Sequence, residues 1–446
     1  MNDHVSPRRR REVIGALRRG TVPSHGLDLL AVGLERFTPA LDADLDAAAG
    51  GGAAFKAVRG EYGAGKTFLT RYLAERALRR GFATAEVQIS ETETPLHKLE
   101  TVYRRLVEQL STGAYPPSAL REIVDAWFYT LEEDVLAEGA VTADDQGKLG
   151  QAVDGLMERR LSDVARTTPA FASALRAYRK ATLDGDQATA QSLIAWIGGQ
   201  PNISAAAKRA AGVKGDLDHF AALGFLQGLL TILRDSGHPG LLLVLDETET
   251  LQRVRSDVRD KGLNALRQLI DDVDSGRFPG LYLLITGTPA FYGGPQGISR
   301  LTPLAQRLAT DFGTDARFDS PRAVQLRLTG FDLPKLARLG SAIRDVYVAG
   351  LSDEAGQRIA RLVDDAYLTD LAKAVAGELG GQVGVAPRVF LRKLVADVLD
   401  RVAEFDDFDP RLHYKPTLSA TELTDTERNV AAGQPPRTAD DVELDL

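Results

Sequence analysis

The chain has 446 residues, 44% of them hydrophobic and 26% charged, the balance of a globular protein long enough for more than one domain. No run approaches the ~18 apolar residues of a membrane span, and the start MNDHVSPRRRREV lacks the apolar stretch of a signal peptide, so a cytoplasmic protein without membrane contact is expected. Zero cysteines exclude disulfides and thiolate metal sites, and the six histidines are scattered without ligand spacing, so no metal beyond Mg²⁺ is expected.

The net charge of -8 is concentrated at one end, because residues 404–446 carry eleven acidic and four basic side chains and leave the remainder near neutral. The first twenty residues contain Arg8, Arg9, Arg10, Arg11, Arg18 and Arg19. This basic arm leaves two readings open, a contact with nucleic-acid phosphates and plain solvation. A short helix is expected over 10–19, then a turn-rich segment, GTVPSHGLDLL, and a second helix leading to the glycine triplet at 50–52. Residues 1–52 thus form a helical lead-in.

The first core strand is FKAVR (Phe55 to Arg59), and directly after it residues 60–67 spell GEYGAGKT, a complete G-x-x-x-x-G-K-[ST] phosphate-binding loop. Gly60, Gly63 and Gly65 allow a tight turn with inward-pointing N–H groups, and the helix that starts near Lys66 adds its positive dipole end. Lys66 is expected to reach the β- and γ-phosphates, and the Thr67 hydroxyl to ligate Mg²⁺. With Glu61, Tyr62, Ala64 and Phe68, these residues make up the expected nucleotide-binding loop. After the helix comes the strand ATAEVQIS (Ala83 to Ser90), which completes a βαβ unit.

The next strand, LLLVL at 241–245, lies about 150 residues further on, with a helical pattern between. A minimal core needs one crossover helix there, so residues of about 113–215 are expected to form an inserted helical module. Trp127 and Trp196 fall within it, and core packing is the favoured role for both over base stacking. LLLVL ends in Asp246 and Glu247: a carboxylate at this strand end can hold the Mg²⁺ shell, and a neighbouring Glu can polarise the attacking water. Two more strands follow, LYLLITGT (Leu281 to Thr288) and VQLRLTGF (Val324 to Phe331). Thr286 and Thr288 are both candidates for a polar γ-phosphate sensor at the strand tip, and a Thr-Gly-Thr-Pro turn accounts for either equally well.

The expected fold is α/β, a parallel five-stranded P-loop core over 53–332 with a large helical insertion. A C-terminal helical lid is expected over 333–405 and an acidic, poorly ordered tail over 406–446. Within the lid, GVAPR puts Arg388 just inside a helix start, where it can reach over a nucleotide as a second sensor.

The order GEYGAGKT, VLDE, ITGT, GVAPR resembles the AAA+ superfamily, in its origin-recognition-like and STAND-like branches. Together with RRGTVPSHGLDLLAVGLERF and the long helical insert, the GEYGAGKTF form of the loop resembles the BrxD-like ATP-binding proteins of BREX phage-defence systems. The resemblance implies a bacterial ATPase that binds ATP and Mg²⁺ and works with other defence-system proteins; it admits double-stranded DNA as a further partner and a AAA+-type homo-oligomer. By the same analogy Val22 and Pro23 would line an adenine pocket, and Arg307, first among Arg300, Arg307, Arg317 and Arg322, would serve a neighbouring subunit as an arginine finger. A nucleotide-gated STAND-like switch with negligible turnover is the competing reading, and a P-loop kinase a third.

Overall fold

The computed structural model describes residues 5–23, 25–378 and 387–417. Five strands form one parallel sheet: β1 (Ala54–Gly60), β2 (Ala83–Gln88), β3 (Leu241–Asp246), β4 (Leu281–Gly287) and β5 (Gln325–Leu328), in the order β2-β3-β4-β1-β5. The uninterrupted apolar runs LLLVL and LYLLI are what strands covered on both faces require. Accordingly every residue of β3 and β4 is buried. The register sets Gln88 beside Asp246, and Leu245 beside Ile285, so Asp246 comes next to Thr286 at the carboxyl ends of these strands. β2 is an edge strand, and Ser111 shields it by exchanging two backbone hydrogen bonds of 2.9 Å with Thr84.

By its internal contacts the chain divides into two compact units, residues 1–39, 58–75 and 311–446 in one and residues 40–57 and 76–310 in the other. The first unit holds the glycine-rich loop at 60–67 and joins the two ends of the chain. Its N-terminal helix, Pro7–Arg18, starts with Ser6 accepting the Arg9 N–H and with proline in the first turn. The helix buries Val13, Ile14, Ala16 and Leu17. Its arginines are partly spent on the C-terminal helices: Arg10 donates to the Ala349 carbonyl at 2.5 Å, and Arg18 pairs with Asp400 at 2.6 Å. Asp400 also accepts the Tyr347 hydroxyl at 2.8 Å. Arg8, Arg11 and Arg19 are exposed. Of the GVAPR segment, Pro387 and Arg388 open the helix Pro387–Arg392, while Gly384, Val385 and Ala386 lie outside the described residues, as does the tail from 418.

The second unit contains β2, β3, β4 and the helices between β2 and β3, from Leu99–Gln109 through Leu120–Ala137, Pro169–Leu183 and Gln187–Ile197 to His219–Asp235. Both tryptophans are core residues here, Trp127 at 0% and Trp196 at 3% exposure. Each satisfies its indole N–H, Trp127 on Asp235 at 2.6 Å and Trp196 on the Gly215 carbonyl at 3.2 Å. The helix His219–Asp235 lies so close to its neighbours that a Cβ on Gly228 would sit 2.3 Å from the Phe171 ring. Among the described residues no helix is long and apolar enough to cross a membrane.

Candidate functional site

In the first unit, the candidate phosphate loop turns at Gly63 (φ +77°) and Gly65 (φ +94°), left-handed values that favour glycine. Around Gly65 a Cβ would meet nothing within 4 Å, so backbone conformation rather than space demands glycine there. Gly60 is different. It is not left-handed, but a Cβ would come 3.1 Å from Ala64 Cβ and 3.3 Å from Leu328 Cβ, so close packing at the end of β1 excludes a side chain. The helix Lys66–Arg79 begins at the lysine. Lys66 is buried, donates to the carbonyls of Gly60 at 2.9 Å and Glu61 at 3.3 Å, and lies over the Tyr62 ring at 5.1 Å. Thr67 and Glu61 are exposed.

The same unit brings the N-terminal segment to the loop's helix and to the helix Pro387–Arg392. Glu75, on the loop's helix, accepts the backbone N–H groups of Gly26 and Leu27, both at 2.9 Å. Gly20, with φ +72°, sits against the helix Pro387–Arg392: a Cβ there would be 3.0 Å from Arg392 Cδ and 3.5 Å from the Arg388 guanidinium. Two predicted segments far apart in sequence, Gly20–Pro23 and Arg388, therefore meet. Val22 is 43% exposed and Pro23 is buried.

In the second unit, β3 ends on the acidic pair. The Thr286 hydroxyl donates to Asp246 Oδ1 and accepts the Glu247 N–H at 3.1 Å, so one side chain from β4 fixes both acidic residues. The Thr248 hydroxyl in turn donates to the Thr286 carbonyl at 2.6 Å. Glu247 itself has φ +59°, one of three non-glycine residues with positive φ among the described residues. Left-handed backbone costs an ordinary residue roughly 1–2 kcal/mol and persists where the surroundings over-determine it. The Glu247 carboxylate accepts a hydrogen bond from Gln88 Nε2 at 3.0 Å. Thr288, the other candidate sensor, is the N-cap of the short helix Pro289–Gly293, its hydroxyl facing the Phe291 N–H at 3.4 Å.

A family model for the BREX system ATP-binding protein BrxC/D matches residues 5–418. The chain belongs to the BREX ATP-binding protein family. No curated protein matches it, and no solved structure does. Membership makes this an ATP-binding protein of a phage-defence system.

For this BREX family member, two residues are brought to the acidic turn that motif reading passes over. Gln88 is the last residue of β2, and its only local signal is a polar side chain at a strand's carboxyl end. Arg259 is a second: its side chain, 9% exposed, occupies the buried stripe of the helix Ser256–Asp274 that continues through Leu263, Leu266, Ile270 and Val273. An arginine on an apolar stripe was the available signal. Of the four arginines considered as fingers, Arg307 pairs with Asp271 and donates to the Pro303 carbonyl at 2.9 Å, and Arg300 reaches Asp260 at 3.3 Å and Ser256 at 3.0 Å. Arg317 lies over the ring of Phe318 at 4.6 Å. Among the described residues no group of three or more His, Cys, Asp or Glu side chains could hold a metal ion.

Proposed function

We propose that the chain is an Mg²⁺-dependent ATPase of AAA+ type that couples ATP binding and hydrolysis to assembly with other proteins of the defence system. The carrying observation is the acidic pair at the end of β3, braced by Thr286, in a chain that has a complete phosphate loop and belongs to an ATP-binding family. The strand order supports this reading, since β4 runs between β3 and β1 as the additional strand of that ATPase class. The loop amides and Lys66 hold the phosphates, with Lys66 exchanging its bonds to the Gly60 and Glu61 carbonyls for phosphate oxygens. Thr67, and Asp246 through water, would hold Mg²⁺, which would supply positive charge against the negative charge developing on the phosphates. Glu247 orients the attacking water and takes its proton. Arg388 reads the γ-phosphate from the lid, Val22 and Pro23 contact the adenine, and Arg307 serves a neighbouring copy of the chain as a finger once released from Asp271. Double-stranded DNA is a further partner, expected to bind with the salt dependence of phosphate contacts.

Glu247→Gln tests the hydrolytic assignment. It should keep nucleotide affinity while phosphate release falls by about a hundred-fold or more, the scale of losing a general base. Equal hydrolysis by the two proteins sinks the assignment.

A nucleotide-gated switch with negligible turnover is favoured by one observation, the Gln88 amide held on the Glu247 carboxylate. A carboxylate engaged in this way is turned from its water. On this reading phosphate release by the wild type is negligible with and without DNA, and Gln88→Ala raises it.

A further inference from the structure

We infer that Arg259 is a positioning residue for Glu247, acting through the backbone of the turn that follows it. The inference rests on the hydrolytic reading of Glu247. After Asp246 the chain passes through the left-handed Glu247 into a single tight turn, Thr248–Gln252, before the helix Ser256–Asp274 begins. The near end of this turn is held by the strands: Glu247 N–H and the Thr248 hydroxyl both bond to Thr286, and the Thr250 hydroxyl donates to the Glu247 carbonyl at 3.0 Å. The far end exposes carbonyl groups that the turn itself cannot satisfy.

Arg259 satisfies them. Its Nε donates to the Leu251 carbonyl at 3.0 Å, and one terminal nitrogen donates to the carbonyls of Gln252 at 2.8 Å and Val254 at 2.9 Å. The other terminal nitrogen bonds to the side-chain oxygen of Gln296, in the segment after the helix that Thr288 caps. A guanidinium is the one side chain with a rigid fork of donors that can hold three carbonyls and an amide at once; a lysine ammonium has neither the plane nor the reach. Packing closes the arrangement, since a Cβ on Gly262 would lie 2.5 Å from Leu251 Cδ2 and so the helix presses directly on the turn. With both ends fixed, the left-handed geometry at Glu247 is retained and its carboxylate keeps one direction. Through Gln296, the segment beyond β4 has a handle on the same turn.

The test uses the full chain with Arg259→Lys, and with Gln296→Leu as a second variant that removes only the fourth bond. Three quantities are measured: hydrogen exchange of the amides at 247–253, affinity for MgADP, and steady-state phosphate release. For Arg259→Lys, exchange of these amides is expected to rise by about ten-fold, MgADP affinity to stay within about two-fold, and kcat to fall by about ten- to a hundred-fold with KM little changed. Gln296→Leu should move exchange and kcat in the same directions by roughly two- to five-fold, and it carries the test if Arg259→Lys fails to fold. Unaltered exchange in the folded variants overturns the inference, and so does faster exchange with wild-type kcat. A fall in MgADP affinity that accounts for the lost activity also overturns it, as the mark of general loosening. If wild type and Glu247→Gln release phosphate equally, the hydrolytic reading has failed instead, and the exchange measurement alone decides whether Arg259 holds the turn.

Discussion

Thr286 and Thr288 are two residues apart, share the strand tip and are equivalent as sequence, yet their hydroxyls do different things. Thr286 is fully buried and divides its hydroxyl between Asp246 and the Glu247 N–H; Thr288 caps a five-residue helix. Thr286→Val removes a donor and an acceptor from buried partners, which should cost about 1–3 kcal/mol of stability, and should lower ATP turnover because the acidic pair loses its brace. Thr288→Val should cost only about 1 kcal/mol, the value of a helix cap, and leave turnover near wild type. Urea denaturation with phosphate-release assays on both variants separates the two. A larger loss of turnover in Thr288→Val would reverse the assignment. At the same scale the partner of Gln88 and the positive φ of Glu247 had no readable signature, because both depend on which residue lies opposite across a strand register.

At the scale of elements, the strands were legible because apolar runs and turn chemistry are local signals. FKAVR, ATAEVQ, LLLVL, LYLLIT and QLRL all lie within strands, with ends shifted by a few residues. The role of the N-terminal helix was not. Its arginines read as a solvated or nucleic-acid-binding arm, whereas Arg10 and Arg18 reach a carbonyl and a carboxylate more than three hundred residues away in sequence. Helix-to-helix distance is equally hidden: nothing in HFAALGFLQGLL shows that Gly228 faces Phe171 at a separation with no room for a methyl group. Gly228→Ala should therefore destabilise the chain by about 1–3 kcal/mol through overpacking, despite alanine's better helix propensity. A midpoint of urea unfolding equal to or above wild type would show that the helices give way instead.

For the whole molecule, ATP binding must appear as linkage between ligand and stability. A nucleotide that binds the folded chain alone should add about 2.7 kcal/mol at a free concentration near 100 times its Kd. Lys66→Ala should abolish most of that gain and should also lower the nucleotide-free stability by about 1–3 kcal/mol, since it removes a buried donor from the Gly60 and Glu61 carbonyls. Thermal unfolding with and without ADP and Mg²⁺ measures both. A variant stabilised by nucleotide as strongly as the wild type would remove Lys66 from the site.

From sequence alone came the G-x-x-x-x-G-K-T loop motif, the acidic pair, the parallel strand pattern and the family likeness, because each is written in contiguous residues whose spacing is set by local geometry. Tertiary structure decided which threonine holds the acids, that Gln88 and Arg259 converge on the turn carrying Glu247, and that Gly20 meets Arg388. These are pairings between residues remote in the chain, and no single-residue preference specifies them: they follow from strand register and helix packing, which form only when the whole core is buried.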